Sequence, residues 1–466
     1  MTTSGPRRRR EPAAGLAARA VLCALALGAP EWCAAWSARL HTHRGAAPPA
    51  AAPRTCSCAR ARRARPARGA PHAHARPAAF NGTWPRNVDV CEGMTVRLFP
   101  GYAQQLEPAG SDWHVSLRGW VCDSTIRSAR RRLTSRALQR GVWTAVHAAG
   151  DAEGEHDAAA AVSHPARSDM QRQALLRRRV SIFLTKSHAR RRVAVALTTT
   201  DGAELWSSKT NSAGHFTVEA TVPQGQLLCR DSARQLPGGT WLTSVRTTPS
   251  EDGRVFETAL LLIPPVGLSV ISDIDDTIKQ THVHNTRLML RSTFLEEWLP
   301  VPGMPDVYRE WASHGAAFHY VSSSPWQLQP QLEALLAKAG FPPGTFHLKD
   351  LHYKGRRLLN LFRSSTALKP KQISGLLDAF PRRRFVLVGD SGEKDAQIYA
   401  QIARHYRERI VHIYIRNVPT KQLGATSAEQ TRERLGRFFR GLPDRQWTVF
   451  DRASCIREDA KAWPQS

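Results

Sequence analysis

Cysteine is scarce for a chain of this length, and its spacing matches no known kind of site. The eight cysteines are scattered over 466 residues, and none falls within 230–454. Cys56 and Cys58 have no second pair at a zinc-like spacing. A Cys91–Cys122 disulfide would require export to an oxidising compartment. A disulfide framework and a zinc cluster are therefore excluded as the basis of this protein.

Long apolar runs are also missing. The stretch Ala20–Ala29 has ten residues, too few to span a bilayer. It follows the basic residues 7–10, as in an export signal, but a disordered leader read from an upstream start has the same composition. We expect no transmembrane span and a cytoplasmic or membrane-peripheral location, and the pattern leaves export open.

Acidic residues are few, so the chain is strongly basic. It has 66 Lys and Arg against 39 Asp and Glu, a formal net charge of +27. Residues 1–80 hold 14 Arg, no Lys and only two Glu, and further runs of Arg occupy 130–132, 177–179 and 190–192. This balance favours anionic partners, such as a membrane surface, nucleic acid or a phosphorylated small molecule, although solvated faces can have the same composition.

Shifts in composition divide the chain into segments. Residues 1–80 lack large apolar side chains in their second half and are predicted to be a disordered basic leader. Residues 81–265 are predicted to form a β-rich, sandwich-like domain, because short segments alternate apolar and polar residues. The predicted strands are 95–99, 113–121, 180–185, 193–198, 215–222, 241–246 and 255–263. A basic helix at 126–140 and an acidic loop at 148–161 interrupt them.

After Pro264 the pattern changes to strands that alternate with helices. Residues 266–446 are predicted to form an α/β domain with a parallel sheet covered on both faces, followed by a C-terminal tail at 447–466. The predicted strands are 267–272, 316–321, 346–348, 385–388 and 410–415. Thr426-x-x-Glu429 predicts a helix start. Ligands of such sheets bind at the carboxyl ends of the strands.

Charged and hydroxyl residues follow these strand ends. Asp273 and Asp275 leave the first strand on the same side, because strand periodicity is two. Their mutual repulsion calls for a cation, and carboxylates without His or Cys favour Mg²⁺. Four further residues that suit phosphoryl chemistry follow the later strands or precede a helix: Ser322, Lys369 (or Lys371), Asp390 and Asp395.

The order and spacing of these residues resemble the haloacid dehalogenase (HAD) superfamily of phosphatases, over roughly 180 residues. The resemblance implies a Rossmannoid three-layer α/β/α fold. It also implies a role for each residue: Asp273 as nucleophile, Asp275 as general acid and base, Ser322 and Lys369 as the phosphoryl clamp. The implied Mg²⁺ ligands are Asp273, Asp390, Asp395 and the main-chain carbonyl of Asp275.

Longer strings (Gly267–Lys279, Phe318–Trp326 and Gly389–Asp395, with Leu98–Tyr102 and Val115–Trp120 upstream) are similar to the actin-patch-type Mg²⁺-dependent phosphatidate phosphatases and their bacterial relatives. This resemblance implies hydrolysis of phosphatidate to diacylglycerol and phosphate through an aspartyl-phosphate. The further residues expected near the substrate are Thr277, Ser323, Lys279, Lys394 and Arg416.

Two alternatives stay open on the sequence. The domain could hydrolyse another phosphomonoester (a nucleic-acid end, a phosphoprotein or a metabolite), or it could be a catalytically silent basic module that binds lipid or nucleic acid. About 49 residues separate Asp273 from Ser322, and about 47 separate Ser322 from Lys369. The two positions where HAD enzymes carry cap domains are therefore short. A minimal cap suits a bulky or interfacial substrate such as an anionic phospholipid.

Overall fold

The computed structural model describes residues 89–106, 112–126, 128–147, 167–197, 204–227, 233–350, 367–419 and 426–463. The predicted leader and acidic loop lie outside these residues. The first half forms one mixed sheet with the strand order β4-β3-β7-β8-β1-β2-β5, and β6 pairs with β7. Its strands are β1 Met94–Gln105, β2 Asp112–Asp123, β3 Ala194–Leu197, β4 Glu204–Trp206, β5 His215–Pro223, β6 Arg234–Gln235, β7 Trp241–Thr247 and β8 Glu257–Ile263.

This first sheet curls around a single apolar core. Alternate side chains of its strands, including Val115, Leu117, Val195, Phe216 and Leu260, belong to one buried cluster. Beyond the end of β4, the chain bonds to β5, so the two ends of the strand order approach each other. The alternation read from the sequence is therefore correct, but the described strands form one curled sheet instead of the two packed sheets of a sandwich.

One predicted strand is wrong. Residues 180–185 were predicted to be extended, but they comprise the end of helix α2 (Asp169–Ser181) and the turns after it. A capping box in which Ser168 and Gln171 bond each other's backbone N–H starts this helix. The apolar run after Arg179 is buried in either conformation, so its hydrophobicity could not separate strand from helix.

The second half forms a six-stranded sheet with the order β11-β10-β9-β12-β13-β14, in which every neighbouring pair is parallel. The first strand of this half, β9, is central, and the chain adds strands first on one side and then on the other. The strands are β9 Leu268–Ser272, β10 Ala317–Pro325, β11 Gly344–Lys349, β12 Arg384–Asp390, β13 Ile410–Arg416 and β14 Trp447–Phe450.

Helices cover both faces of this parallel sheet. Val270 and Val386 point into one buried cluster, whereas their neighbours Ile271 and Leu387 point into another. This confirms a three-layer α/β/α arrangement. The remaining helices are α1 Ala129–His147, α3 Gln224–Leu227, α4 Thr286–Phe294, α5 Met304–Ser313, α6 Gln329–Ala339, α7 Leu368–Ala379, α8 Asp395–His405 and α9 Ala428–Phe439.

Helix ends follow local sequence signals, with one shift. Gly340 ends α6 with φ of 79°, a left-handed conformation that glycine adopts without strain. At α9 the capping box uses Ser427 and Gln430, one residue later than the predicted Thr426 and Glu429. Both pairs fit the capping pattern, so the pattern alone does not distinguish them.

The two sheets pack against each other through aromatic side chains. Phe99 stacks on Trp326 with ring centroids 4.4 Å apart, and the Arg118 guanidinium lies 5.3 Å from the Trp326 ring centroid and pairs with Asp350 at 2.9 Å. Trp326 is thus a core residue. A separate N-terminal domain with a boundary at 265 is not confirmed by this packing and stays a prediction. Among the described residues, no helix has the length and apolarity needed to cross a membrane.

Residues 447–466 were predicted to be a tail, and the described part of them belongs to the fold. Residues 447–450 form the edge strand β14, and the 3₁₀ turns at 453–462 pack on α5. Trp463 is buried, with its ring centroid 4.8 Å from that of Trp311. The predicted boundary at 446 therefore cuts through the sheet.

Replacing Trp463 with Ala should destabilise the protein by about 3–5 kcal/mol, the usual cost of removing a buried Trp side chain. Urea unfolding measures this loss. Arg457→Ala, at an exposed position in the same segment, is the matched control and should change stability by less than about 0.5 kcal/mol. Equal stability of the two variants would mean that this segment does not contribute to the core.

Candidate active site

Two neighbouring strands bring the acidic motifs together. Ser272 of β9 pairs with Val388 of β12, so Asp273 and Asp390 emerge from the same edge of the sheet. The backbone N–H of Asp273 donates to the Val388 carbonyl at 2.8 Å and continues the ladder past the end of β9. Asp273 and Asp390, which lie far apart in the chain, are therefore close in space, as expected.

The carboxylates of Asp273, Asp390 and Asp395 form a compact buried group. One oxygen from each lies within 4.8 Å of the others. Asp395 is the first residue of α8, where the helix dipole stabilises negative charge. The approach of Asp395 to β12 requires Gly389, because a Cβ there would lie 2.3 Å from Asp395 Oδ2. The glycine of the Gly389–Asp395 motif thus has a steric role.

One ammonium group lies against this cluster. Lys369, the second residue of α7, is buried, and its Nζ lies 2.8 Å from Asp273 Oδ1. It also contacts Asp395 and lies 3.7 Å from Glu393 Oε2. Of the two lysines considered for the phosphoryl clamp, Lys369 thus lies against the carboxylates, whereas Lys371 lies at the surface of α7.

The cluster has more negative than positive charge. Four carboxylates, those of Asp273, Asp390, Glu393 and Asp395, lie around the Lys369 ammonium. Burial raises the pKa of Asp273 and of Asp390 well above their usual range, and the neighbouring carboxylates raise both further. Burial also raises the pKa of Glu393, to about 7. Buried like charges at this distance are unfavourable unless a cation joins them.

The donors in this cluster fit a divalent cation. Asp390 Oδ1 accepts the backbone N–H groups of Gly392 at 2.6 Å and Glu393 at 2.9 Å. Its other oxygen, Oδ2, is buried without a hydrogen-bond partner, although such atoms are normally paired. An all-carboxylate donor set with one unpaired oxygen suits a hard cation such as Mg²⁺ better than zinc or copper.

Asp275 belongs to an adjoining network and not to the three-carboxylate group. Its Oδ1 accepts from Lys279 Nζ and from Thr281 Oγ1, each at 2.8 Å. Its Oδ2 accepts from the hydroxyls of Ser322 at 2.9 Å and Ser324 at 2.8 Å. Burial raises the pKa of Asp275, but the Lys279 ammonium and these hydrogen bonds outweigh it and hold the pKa below its ordinary value.

This network differs from the expected roles in two respects. Ser322 was expected to face phosphoryl oxygens, but its hydroxyl donates to Asp275. Lys279 was expected to contact substrate, but its ammonium is buried between Asp275 and the ring of Trp298, 4.8 Å from the ring centroid. Both side chains therefore hold Asp275 in this structure, and contact between Lys279 and substrate requires a rearrangement.

The remaining predicted residues lie around these two groups. Thr277 is buried, and its hydroxyl donates to Asp273 Oδ2 at 3.0 Å instead of facing outward. Arg416 donates to the Asp276 carbonyl at 2.6 Å. Ser323 is buried in β10, and Lys394 is exposed just before α8. The substrate-binding roles of these residues stay predictions.

Asp276 is structural, as expected. Its carboxylate accepts three consecutive backbone N–H groups from 281–283, each at 2.7 Å, and its φ is 56°. These bonds fold the chain back beside the nucleophile position. A carboxylate that accepts three N–H bonds has little capacity left for a metal ion.

Three residues of the site were missed. Glu393 contacts Lys369, and Ser324 and Thr281 hold Asp275. Glu393 lies within the Gly389–Asp395 motif and Ser324 within Phe318–Trp326, so their proximity to the site could have been predicted from the sequence. Thr281 follows a turn whose course depends on Asp276, and its place could not be read from the sequence.

A three-layer α/β domain with clustered carboxylates at the carboxyl ends of β9 and β12 has a donor set that suits a divalent cation. Sequence comparison gives a family match over part of the chain. Residues 268–417 match the family described as "Phosphatidate phosphatase APP1, catalytic domain". This part of the chain is similar to the catalytic domain of that family.

Two relatives are similar to this chain over part of their length. The chain is 33% identical to phosphatidate phosphatase APP1 of Saccharomyces cerevisiae over 255 residues, which is 53% of this chain and 41% of the relative. It is 35% identical to an uncharacterized protein of Schizosaccharomyces pombe over 170 residues, 36% of this chain and 28% of that protein. The chain thus spans less than half of the relatives it matches.

Among solved structures, a putative phosphoglycolate phosphatase from Lactobacillus delbrueckii subsp. bulgaricus matches with 18% identity and a TM-score of 0.21. The match covers 37% of this chain and 57% of that chain. A TM-score this low carries no argument about fold or function.

Magnesium should raise the melting temperature of the protein, and Asp390→Asn should remove most of that rise. A ligand at 100 times its Kd stabilises the folded state by about 2.7 kcal/mol. The Asn side chain keeps the acceptor for Gly392 and Glu393 but relieves repulsion, so without Mg²⁺ we expect the variant to melt above the wild type. Thermal unfolding with and without Mg²⁺ measures both effects.

Asp444→Asn, at a side chain that is 95% exposed, is the matched control and should behave like the wild type. An unchanged Mg²⁺ response in Asp390→Asn would place the ion elsewhere.

Proposed function

We propose that this protein is a Mg²⁺-dependent phosphomonoester hydrolase that converts phosphatidate to diacylglycerol and phosphate through an aspartyl-phosphate on Asp273. The principal support is the buried group of Asp273, Asp390 and Asp395 with Lys369, inside the segment that matches the APP1 catalytic domain. Reaction, substrate and intermediate are all part of this proposal, because the relatives extend well beyond the part that this chain matches.

Asp273, Asp390 and Asp395 would hold the ion, with the main-chain carbonyl of Asp275 as a further expected ligand. Bound Mg²⁺ would offset the charge repulsion between a carboxylate nucleophile and a phosphate dianion. The Lys369 ammonium, fixed by Asp395, orients one oxygen of Asp273 and adds positive charge beside the phosphoryl group.

In the first step Asp273 attacks phosphorus in line. The bond between its carboxylate oxygen and phosphorus forms as the bond to the alcohol oxygen breaks. Thr277 holds the other oxygen of Asp273 at 3.0 Å, which leaves the orientation of the nucleophile well defined. The leaving alkoxide takes a proton from Asp275 in its acid form.

In the second step water attacks phosphorus, Asp275 accepts the water proton, and the bond between phosphorus and Asp273 breaks. The contacts of Asp275 favour its carboxylate form, which is the form this step needs. Donation in the first step requires that these contacts loosen. Ser322 supplies one route, since rotation of its hydroxyl toward a phosphoryl oxygen removes one of the four hydrogen bonds to Asp275.

A lipid substrate requires approach to a bilayer. The net charge of +27 favours binding to anionic membranes, and we propose that the protein acts as a peripheral enzyme at such a surface. The same positive charge would also attract nucleic acid, so charge alone does not identify the substrate and an activity assay is needed.

Phosphate release from phosphatidate in mixed micelles tests the proposal, beside a soluble phosphomonoester such as p-nitrophenyl phosphate. We expect Mg²⁺-dependent release that prefers phosphatidate, and a loss of at least roughly 10³-fold in Asp273→Asn, because that variant has no carboxylate nucleophile. Chelation by EDTA should stop release, and added Mg²⁺ should restore it.

Lys371→Gln, on the same helix as Lys369 but at the surface, is the control and should retain activity. Activity in Asp273→Asn close to that of the wild type would exclude the covalent scheme. Faster release from the soluble ester than from phosphatidate would favour a non-lipid substrate.

A further inference from the structure

Helix α1 has an outer face that its own packing does not explain. The helix carries five arginines and no acidic residue. Its buried residues are Ser135, Val142 and Val146, which pack toward α2 and α4. On the opposite side Arg130, Leu133, Arg136 and Arg140 are spaced three, three and four residues apart and form one exposed stripe. We call these four residues the α1 stripe.

The α1 stripe works against the stability of the helix. Arginines at 130–132 place positive charge in the first turn, where the helix dipole already favours negative charge. Arg136 and Arg140 are like charges one turn apart, which also destabilises a helix. Leu133 lies among these arginines with 61% of its surface exposed. Arg131 and Arg132, outside the stripe, bond to the backbone carbonyls of Leu184 and Ile126. The stripe itself opposes the helix dipole and exposes a leucine, which is better explained by a role in binding than by a role in folding.

The chemistry of the α1 stripe selects one kind of partner. Arginines attract phosphate groups of either lipid or nucleic acid. An exposed leucine in the middle of the stripe adds apolar area that lies against the acyl boundary when an amphipathic helix binds in the membrane interface. A nucleic-acid backbone offers no such environment to Leu133. The combination therefore favours an anionic phospholipid surface.

The position of α1 relates this surface to the catalytic cluster. At the end of α1 the Val146 carbonyl accepts from Arg287 Nε at 2.8 Å, at the start of α4. The chain just before α4 borders the site, because a Cβ on Gly392 would lie 1.8 Å from His284 Nε2. Gly392 in turn donates to Asp390. Three contacts thus connect the end of helix α1 with the carboxylate group.

We propose that the α1 stripe docks the protein on anionic phospholipid membranes and holds the carboxyl edge of the parallel sheet near the lipid headgroups. The choice of lipid as partner rests on the proposed function, but the docking itself needs no catalysis. Binding and turnover can therefore be measured separately.

The test is co-sedimentation of the full chain with phosphatidylcholine vesicles, with and without phosphatidylserine. The variant Arg130→Glu/Arg136→Glu/Arg140→Glu should bind the anionic vesicles on the order of 100-fold more weakly, since each arginine near the surface contributes a factor of about five. Glu and Arg have similar helix propensity, and Glu at 130 suits the helix dipole, so the fold should persist. All variants keep the basic residues 1–80.

The matched control reverses three exposed arginines at the opposite edge of the sheet, Arg382→Glu/Arg384→Glu/Arg407→Glu. These residues precede or begin β12 and β13, at the amino ends of the strands. With the same change in net charge, this variant should bind anionic vesicles within about threefold of the wild type if position matters more than total charge.

A second variant, Leu133→Gln, keeps every charge and tests the apolar contact. Binding should fall roughly tenfold, and this loss should persist at high salt, because burial of apolar area is not screened. Turnover of the soluble phosphomonoester should be unchanged in all of these variants, and Asp273→Asn should still bind vesicles.

Three results would overturn the docking proposal: anionic-vesicle binding by the α1 variant equal to that of the wild type, an equal loss in the control variant, or loss of binding to duplex DNA without loss of vesicle binding. Vesicle binding that depends on the α1 stripe in a protein that does not hydrolyse phosphatidate would leave the docking proposal intact and refute the proposed substrate.

Discussion

The repulsion among buried carboxylates at the ends of β9 and β12 is the constraint on which the site depends. Parallel pairing of these two strands forces Asp273 and Asp390 to the same edge, and α8 adds Asp395. One ammonium, that of Lys369, offsets only part of this charge. A buried group of this kind is unfavourable for folding alone. The proposed function would account for this arrangement, since a divalent cation would offset the repulsion among the carboxylates.

A second buried network lies beside the first and has the opposite character. Asp275 is surrounded by donors, with Lys279 and three hydroxyls within 2.9 Å. The carboxylates of Asp273 and Asp275, two residues apart in the chain, thus have different environments. Other carboxylates surround Asp273, whereas an ammonium and hydroxyl donors surround Asp275. Environments that push neighbouring acids apart in pKa are a common way to give them separate roles in catalysis.

The sequence predicted the parallel half of the fold well, because buried strands, helix stops and motif acids all agree there. Asp273, Asp390, Asp395 and Lys369 meet as expected, since the carboxyl ends of parallel strands share one edge. The partners of Asp275 could not be predicted. Thr281 reaches it only through a turn that the Asp276 carboxylate holds by three backbone bonds, and the hydroxyl of Ser324 bonds Asp275 from the end of β10.

The first half was harder to predict for a physical reason. Alternation shows that one face of a strand is buried, but it does not say whether the opposing face belongs to a second sheet or to the same sheet after it curls. The run after Arg179 is apolar at nearly every position, so period two and period 3.6 fit it equally. The segment 447–463 mixes charged with apolar residues, and its large apolar residues Trp447, Phe450, Ile456 and Trp463 are buried.

The edge strand β14 has a consequence for assembly. A parallel sheet that ended at β13 would present a row of unpaired backbone groups to solvent, and such a row recruits strands from other molecules. β14 pairs with β13 and is only four residues long, with the 3₁₀ turns that follow it packed on α5. The last described segment of the chain thus leaves only one short strand exposed at this edge of the parallel sheet.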